Sequence, residues 1–246
     1  TALATNDGND GTISGAVTVG PGKSGNALTF DGASGSITMG NPASLNFGTG
    51  PFSLEAWFMW DGGGSSVNNI IRKSNYGPGP GSGYWLRIGR DSKTLEFSIG
   101  ATTGPEGQTL ITAPISSGAW HHVVATRDRS DTVKLYVDGQ STGTFVREAS
   151  AAESTSGSPF ALGSWADQRS EFFSGEIEEV LVYSEALDSS EVARAYLRFQ
   201  IAFPIPELGN CQNKAECANY CESDDIDVIR GCIDFAKKYK LLSDEE

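Results

Sequence analysis

The chain has 246 residues, with 18 Lys and Arg against 31 Asp and Glu, so its formal net charge at pH 7 is −13. This acidic balance excludes a nucleic-acid-binding surface, because phosphate binding needs clustered basic side chains and the sequence has no such cluster. The 30 glycines and two methionines favour an all-β domain, and no run approaches the ~18 consecutive apolar residues of a membrane span, so no transmembrane segment is predicted in this chain.

The loop 74 to 84, SNYGPGPGSGY, has the composition of a binding loop, since it is long, rich in Gly and Pro and carries aromatic residues. Carbohydrate binding needs aromatic faces beside hydrogen-bonding groups, and Arg87 adds one such group nearby. We therefore predict a carbohydrate site from residues in this loop and further along the chain: Tyr76, Tyr84, Trp85, Trp165 and Asp167. The competing interpretation is that these aromatic side chains belong to a sandwich core.

Residues 119 to 139 predict an antiparallel hairpin. A β-branched run at 123 to 126 is followed by a polar break at 128 to 131, and apolar residues at 133, 135 and 137 then alternate with more polar ones. Asp138-Gly139 is a turn pair, because Gly tolerates positive φ, and another β-rich piece follows it. The result is a meander of short strands with one buried face.

The next segments predict a loop and a helix. The low-complexity passage 148 to 160, EASAAESTSGSPF, is rich in small polar residues and predicts an exposed loop. Asp188 has the character of a helix N-cap, and Glu191 stands three positions later to complete a capping box. A helix is therefore predicted from this point to about Arg198.

The segment 201 to 210, IAFPIPELGN, predicts an extended linker, because it holds two prolines and a Gly-Asn pair. It separates a main domain, 1 to 200, from a second unit, 211 to 246. That unit is predicted to be a helical hairpin, with a short helix at 214 to 222 and an apolar helical stripe at Ile226, Ile229, Ile233, Ala236 and Tyr239.

All four cysteines lie in this second unit. A unit below about 40 residues rarely folds without disulfides or metal, and an even count indicates two disulfides and an extracellular or cell-surface location. Cys217 and Cys221 are one helical turn apart, ~6 Å between Cβ atoms against the ~3.8 Å of a disulfide. With antiparallel helices around residues 223 to 225, we predict the pairs Cys217 with Cys232 and Cys211 with Cys221. A zinc site is the weaker alternative, since no Cys-x-x-Cys pair and no nearby His occur.

Motifs at several separated places agree in order with one known family. WHHV at 120 to 123, LYVDG at 135 to 139 and GEIEEV at 175 to 180 resemble strands of the laminin-G-like, concanavalin-A-like jelly roll. NALTFDG at 26 to 32 and FSLEAW at 52 to 57 lie where that family places its early strands. The resemblance covers roughly the first four fifths of the chain. It implies an all-β antiparallel jelly-roll sandwich with a central strand at 172 to 183, to which the small disulfide-bonded helical hairpin is appended at the C-terminus.

The resemblance also implies calcium, because members of this family often hold one Ca²⁺ where loops meet the rim of the sheet. The densest group of hard oxygen ligands is Asn6, Asp7, Asn9 and Asp10, which Glu178 on the last strand would face. Two departures weigh against it: Ser36 stands where the family often has Asp, and Glu178 replaces a commoner Asp. The alternative is that the Asn-Asp-Gly repeats only form tight turns.

No catalytic residue is predicted. Glycoside hydrolases with this jelly roll place carboxylates at alternate positions of one strand. Glu176 and Glu178 share a face, but Val180 stands where the third carboxylate is needed. His121 and His122 are adjacent on a strand and therefore point to opposite faces, which prevents them from acting as a pair.

The beginning of the chain also departs from the family, which usually opens with an apolar strand before its Gly-Asn-rich loop, whereas here only residues 1 to 4 precede that loop. We expect either a processed precursor or a sheet edge that is filled by a neighbouring chain or by an upstream anchor, since a vacant sheet edge accepts a strand. The predicted function is a non-catalytic, secreted or cell-surface binding or adhesion module for a glycan or a surface protein. The alternative is a structural subunit or decoration of a surface appendage, and a glycoside hydrolase is the weakest interpretation.

Overall fold

The structure is a computed structural model that describes residues 2–3, 10–74, 83–89, 94–100, 109–146, 154–165, 170–201, 204–239 and 241. The strands within these ranges are β1 (Ala2–Leu3), β2 (Gly11–Ser14), β3 (Val17–Pro21), β4 (Asn26–Asp31), β5 (Ser36–Thr38), β6 (Phe52–Trp60), β7 (Asn68–Ser74), β8 (Gly83–Ile88), β9 (Thr94–Ile99), β10 (Thr109–Pro114), β11 (Trp120–Arg127), β12 (Thr132–Val137), β13 (Gln140–Val146), β14 (Ala161–Leu162) and β15 (Ser174–Tyr183). The helices are α1 (Ser189–Arg198), α2 (Lys214–Cys221) and α3 (Ile226–Lys238), with 3-10 turns at Ala43–Leu45 and Pro206–Leu208.

The strands form two antiparallel sheets. One has the order β1-β2-β5-β14-β7-β8-β9-β10, and the other has the order β13-β12-β11-β6-β15-β4-β3. Apolar side chains from both sheets form one buried cluster, which includes Phe58, Leu86, Phe97, Val123 and Ile177. The predicted all-β antiparallel sandwich is confirmed.

The local predictions for the hairpin and for α1 are confirmed. Strands β11 and β12 pair with Ala125 opposite Leu135, and both side chains are fully buried. The turn at Asp138-Gly139 has positive φ at both residues, 52° and 76°, before β13 begins. At α1, the Asp188 side chain accepts the Glu191 N–H at 2.9 Å, and Glu191 accepts the Asp188 N–H at 2.8 Å. Together these two hydrogen bonds form the predicted capping box.

The prediction of an exposed loop at 148 to 160 is wrong for its second half, while residues 148 to 153 lie outside the described ranges. Ser154, Ser156 and Ser158 are 0, 2 and 5% exposed. The carbonyls of Ser156 and Ser158 accept hydrogen bonds from the Lys73 ammonium at 2.8 and 3.0 Å, and Asn41 Oδ1 accepts a third at 2.6 Å. Burial of this cation lowers the pKa of Lys73 to about 8. The small polar segment is buried because its backbone solvates a lysine.

The chain divides into two compact units, Thr1–Leu187 and Asp188–Glu246. The division groups α1 with the C-terminal unit, whereas the sequence placed it in a first domain that ends at residue 200. The predicted extended linker also contains structure, since Pro206–Leu208 forms a 3-10 turn and Ile205 pairs with Cys211 in a β-bridge. No described helix has the length and apolar character that crossing a membrane requires.

The predicted disulfide pairing is wrong. The structure joins Cys211 to Cys217 and Cys221 to Cys232, with Cα separations of 5.1 and 5.9 Å. Gly209 and Asn210 have φ of 65° and 64° and reverse the chain, which brings Cys211 beside the first turn of α2. The end of α2, not its middle, then lies against the second turn of α3. The prediction assumed that residues at equal distances from the turn between the two helices lie side by side. In the structure Cys221, which is close to the turn, is instead joined to Cys232, which is farther from it.

Candidate functional site

The outer face of the eight-stranded sheet carries a row of polar and aromatic side chains. Ile71, Leu86 and Phe97 pair across β7, β8 and β9 and belong to the core cluster. Because side chains alternate along a strand, the neighbouring row lies on the opposite face. That row holds Arg72 and Trp85, which pair directly across the two strands.

Arg72 is fixed by a stacked indole and by a carboxylate. Its guanidinium carbon lies 3.7 Å from the centroid of the Trp165 ring, and Nη1 donates to Glu171 Oε2 at 3.0 Å. Asn69 also donates to that carboxylate oxygen, at 3.0 Å. The Arg72 side chain is fully buried and that of Glu171 is 15% exposed. The segment that carries Trp165 and Glu171 is therefore attached to the outer face of the sheet by a cation–π contact and an ion pair.

Arg87 forms a second, more accessible set of the same kind. Its guanidinium carbon lies 3.8 Å from the centroid of the Trp85 ring, and Nε donates to Glu96 Oε2 at 2.8 Å. The side chains of Arg87 and Glu96 are 17% and 16% exposed, while Trp85 is 1% exposed. A molecule that approaches this face therefore meets the charged groups first, with the indole beneath the guanidinium.

We call these six residues the Arg-Trp face: Arg72, Trp85, Arg87, Glu96, Trp165 and Glu171. Its two guanidinium groups hold fixed orientations, because each one is both stacked and ion-paired, and charge-assisted hydrogen bonds are the stronger kind. The adjacent carboxylates accept hydrogen bonds. Such a combination of planar donors, acceptors and aromatic surface suits a ligand with many hydroxyl groups.

The structure brings together two of the predicted carbohydrate-binding residues, Trp85 and Trp165, on the Arg-Trp face. It contradicts the prediction for Tyr84, which is fully buried between the sheets and whose hydroxyl donates to the Leu45 carbonyl at 3.1 Å. Burial raises the pKa of Tyr84 well above its ordinary value. Tyr76 and Asp167 lie outside the described residues.

The sequence prediction missed Arg72, Glu96 and Glu171. Glu171 lies 99 residues from Arg72 along the chain, so no local pattern marks that pair. Glu96 could have been found, since β8 and β9 form a hairpin that places it opposite Arg87.

The residues of the predicted calcium site are only partly described. Glu178 Oε2 and Oε1 accept the N–H groups of Lys23 and Ser24 at 2.9 and 3.1 Å, so this carboxylate holds the turn between β3 and β4. Asp10 is exposed, and Asn6, Asp7 and Asn9 lie outside the described residues. Among the residues that are described, no group of three or more His, Cys, Asp or Glu side chains is placed to hold a metal ion. Calcium binding stays a prediction.

The last strand departs from regular pairing just after Glu176 and Glu178, the carboxylates considered for hydrolysis. The register of β15 against β6 shifts between Glu178 and Leu181, and Glu179 has φ of 49°. A bulge therefore interrupts the alternation beyond Glu178, at the position where a third carboxylate would be needed.

The two histidines lie on opposite faces, as predicted. His122 Nε2 is 3.1 Å from Glu55 Oε1 in a fully buried pair. His121 Nδ1 lies 2.9 Å from Asp138 Oδ2, and its Nε2 lies 3.1 Å from Ser116 Oγ and 3.2 Å from the Ser116 carbonyl. This is the order of a Ser-His-Asp triad, but Nε2 also lies 3.4 Å from the Ser116 backbone nitrogen, so the ring contacts the backbone of Ser116 as well as its hydroxyl. The arrangement joins the loop before β11 to the turn after β12.

The hydrogen bond to Asp138 raises the pKa of His121. Burial acts to raise the pKa of Asp138, but hydrogen bonds from His121 and from the His122 N–H outweigh it and hold that pKa below its ordinary value. His121 therefore stabilises the fold fully below its unfolded pKa of 6.5 and loses this contribution as the pH rises through its folded pKa. Asp138 contributes to stability above its unfolded pKa of 3.8 and loses this contribution as the pH falls through its folded pKa.

We expect His121→Asn, which keeps a polar group but no charge, to cost about 1 kcal/mol near pH 5 and less near pH 9. Urea unfolding at both pH values measures the difference. Asp138→Asn is the reciprocal variant and should remove the same pH dependence, since Asn tolerates the positive φ at this position. Equal costs of His121→Asn at the two pH values would contradict the prediction.

Comparison with known proteins agrees with the sandwich just described. Residues 31–193, more than half of the chain, match the model of the Concanavalin A-like lectin/glucanases superfamily, and the chain belongs to that family. No curated protein matches the chain.

Among solved structures, the fold is similar to the binding domain of Paraclostridial Mosquitocidal Protein 1, with TM-score 0.61, 14% identity, and coverage of 79% of this chain and 48% of that one. The binding domain of Botulinum Neurotoxin DC in complex with SialylT gives TM-score 0.60 and 15% identity over 78% and 47% of the two chains. The same domain in complex with rat synaptotagmin II gives TM-score 0.60 and 14% identity, with coverage of 78% and 47%. This chain thus spans about half the length of these relatives, and the likeness shows a common fold.

Proposed function

We propose that the sandwich is a non-catalytic binding module that recognises a glycan through the Arg-Trp face. The observation that carries the proposal is the pair of stacked and ion-paired guanidinium groups, Arg72 on Trp165 and Arg87 on Trp85, on one face of the sheet. Sugar hydroxyls are matched by charged donors and acceptors held in fixed directions, and the apolar side of a pyranose packs on the partly exposed indole of Trp165.

The comparisons support a binding role without supplying the ligand. The similar structures are binding domains, one in complex with SialylT and one with rat synaptotagmin II. The two disulfides support an extracellular or cell-surface location. A secreted or surface-attached lectin or adhesion module is the function that these features favour.

The test is a glycan array probed with the full chain, with Ca²⁺ present in one arm and a chelator in the other, followed by titration of the best glycan. We expect Arg87→Ala and Trp165→Ala each to weaken binding about tenfold or more, which is about 1.4 kcal/mol. Phe145→Ala is the matched control, because Phe145 is an exposed aromatic residue on β13 in the other sheet and should leave affinity unchanged.

Two results would overturn the proposal. One is an array without binders in both arms. The other is wild-type affinity in both Arg87→Ala and Trp165→Ala, which would place the glycan elsewhere. Loss of binding only in the chelator arm would support the predicted calcium site as well.

A further inference from the structure

Helix α3 carries an exposed apolar stripe. Ile226, Ile229 and Ile233 are 69, 37 and 41% exposed, although isoleucine is among the residues most often buried. The opposite side of the helix is the one that packs within its unit, since Phe235 is 8% exposed and its ring centroid lies 4.6 Å from that of Tyr239. The stripe is therefore not the face that α3 uses for its own core.

The spacing of the stripe is that of a helix-pairing seam. The isoleucines are three and four positions apart, and Ala236 follows three positions later, so the four residues occupy alternating a and d positions of a heptad. Such a seam packs against a second helix along its length. Propensity does not require isoleucine at exposed helix positions, because β-branched residues are weaker helix formers than Ala, Lys or Glu.

The charges beside the stripe indicate which helix fits. Asp227, Arg230, Asp234 and Lys237 each follow a seam residue by one position, and all four are exposed. From the N-terminal to the C-terminal end of α3 these side chains are acidic, basic, acidic and basic. In a helix that runs the other way the order is basic, acidic, basic and acidic. A second α3 in antiparallel orientation therefore places Asp227 opposite Lys237 and Arg230 opposite Asp234. In a parallel copy this row of charges would face the other flank of the partner helix, so these ion pairs would not form.

We propose that α3 is a self-association surface, at which a second copy of this chain binds through an antiparallel α3 about a two-fold axis. The contact is isologous, with the same isoleucines and the same ion pairs on both sides. A 13-residue helix is about 20 Å long, so the contact is smaller than the ~800 Å² per partner of a standard interface. The dimer is accordingly weak, with dissociation constants in the range of roughly 10 to 500 μM.

The first test is sedimentation equilibrium of the full chain over that concentration range, at low and at high salt. The weight-average mass should rise toward twice the monomer mass, and high salt should weaken association because exposed ion pairs are screened. Ile229→Asp should reduce the association constant by at least tenfold. Val19→Asp is the control, because Val19 is 61% exposed on the sandwich and lies outside α3.

The second test concerns orientation. Asp227→Lys alone and Lys237→Asp alone should each weaken association, whereas the double variant should restore it, because residue 227 then faces the opposite charge at residue 237 of the second copy. Circular dichroism and the intact disulfide mass verify that each variant is folded. A monomer throughout the concentration range, a dimer that survives Ile229→Asp, or a double variant weaker than both single variants would each overturn the proposal.

Discussion

Replacing Lys73 with Ala is expected to lower the free energy of unfolding by about 3 to 5 kcal/mol. The ammonium group is fully buried and donates to three oxygens, from Asn41, Ser156 and Ser158, at 2.6 to 3.0 Å. Without it, these acceptors are left in a site from which water is excluded, and a buried acceptor without a donor costs about 1 to 3 kcal/mol. Urea unfolding of wild type and variant measures the loss, provided that the free energy of unfolding depends on urea concentration with the same slope in both proteins.

Two further variants separate hydrogen bonding from packing. Lys73→Met keeps most of the side-chain volume and should still cost about 2 to 3 kcal/mol, because the three acceptors lose their donor. Lys134→Ala, at a half-exposed position on β12, should change stability by about 0.5 kcal/mol or less. A loss below about 1 kcal/mol for Lys73→Ala would show that the segment 154 to 160 does not depend on this cation.

The same lysine gives a pH dependence with a defined sign. Burial lowers the pKa of Lys73 from 10.5 to about 8, so between these values the unfolded chain binds more protons than the folded chain. The stability contribution of this group therefore rises with pH from about 8 to 10.5, as the charged form that burial disfavours is lost. Wild type should gain stability relative to Lys73→Met across that range. A constant difference between the two proteins would contradict the prediction.

Features that depend on neighbouring residues were predictable from the sequence. The alternation at 133, 135 and 137 specifies one buried face of β12, because side chains of a strand point alternately to its two faces. Asp188 and Glu191 specify the start of α1, because the capping box involves only residues three positions apart. Several such motifs in the order of one family were sufficient to predict the sandwich.

The candidate site was only partly predictable, because it depends on which face each aromatic residue occupies. Tyr84 and Trp85 are adjacent and must point to opposite faces of β8, yet both are aromatic residues of the kind that binds carbohydrate. Their neighbours on β8 decide which face each one occupies. Tyr84 lies on the same face as Leu86 and Ile88, which belong to the core, whereas Trp85 lies on the same face as Arg87. The pairing of Arg72 with Glu171 depends on β14 lying between β5 and β7, which no local pattern indicates.

The final prediction concerns the C-terminal unit, whose buried cluster, among the residues that the structure describes, consists of Ile205, Leu208, Cys211, Cys217 and Phe235. A core of this size does not hold two helices by burial alone, so the disulfides carry much of its stability. Replacing Cys221 and Cys232 together by Ser should destabilise the unit by about 2 to 4 kcal/mol and reduce the helical circular dichroism signal from α3. The variant should contain no free thiol, because Cys211 remains bonded to Cys217.

Peptide mapping without reduction decides the pairing on which this expectation rests. Trypsin cleaves after Lys214 and Arg230, but each of the two alternative pairings links the same tryptic peptides. Chymotrypsin adds a cut after Tyr220, which separates Cys217 from Cys221. A mixed digest should then yield the peptide with Cys211 joined to residues 215 to 220, and residues 221 to 230 joined to the peptide with Cys232. A link from Cys217 to Cys232 would instead support the disulfide pairs predicted from the sequence. It would also remove the basis for the expected decrease in the helical signal from α3.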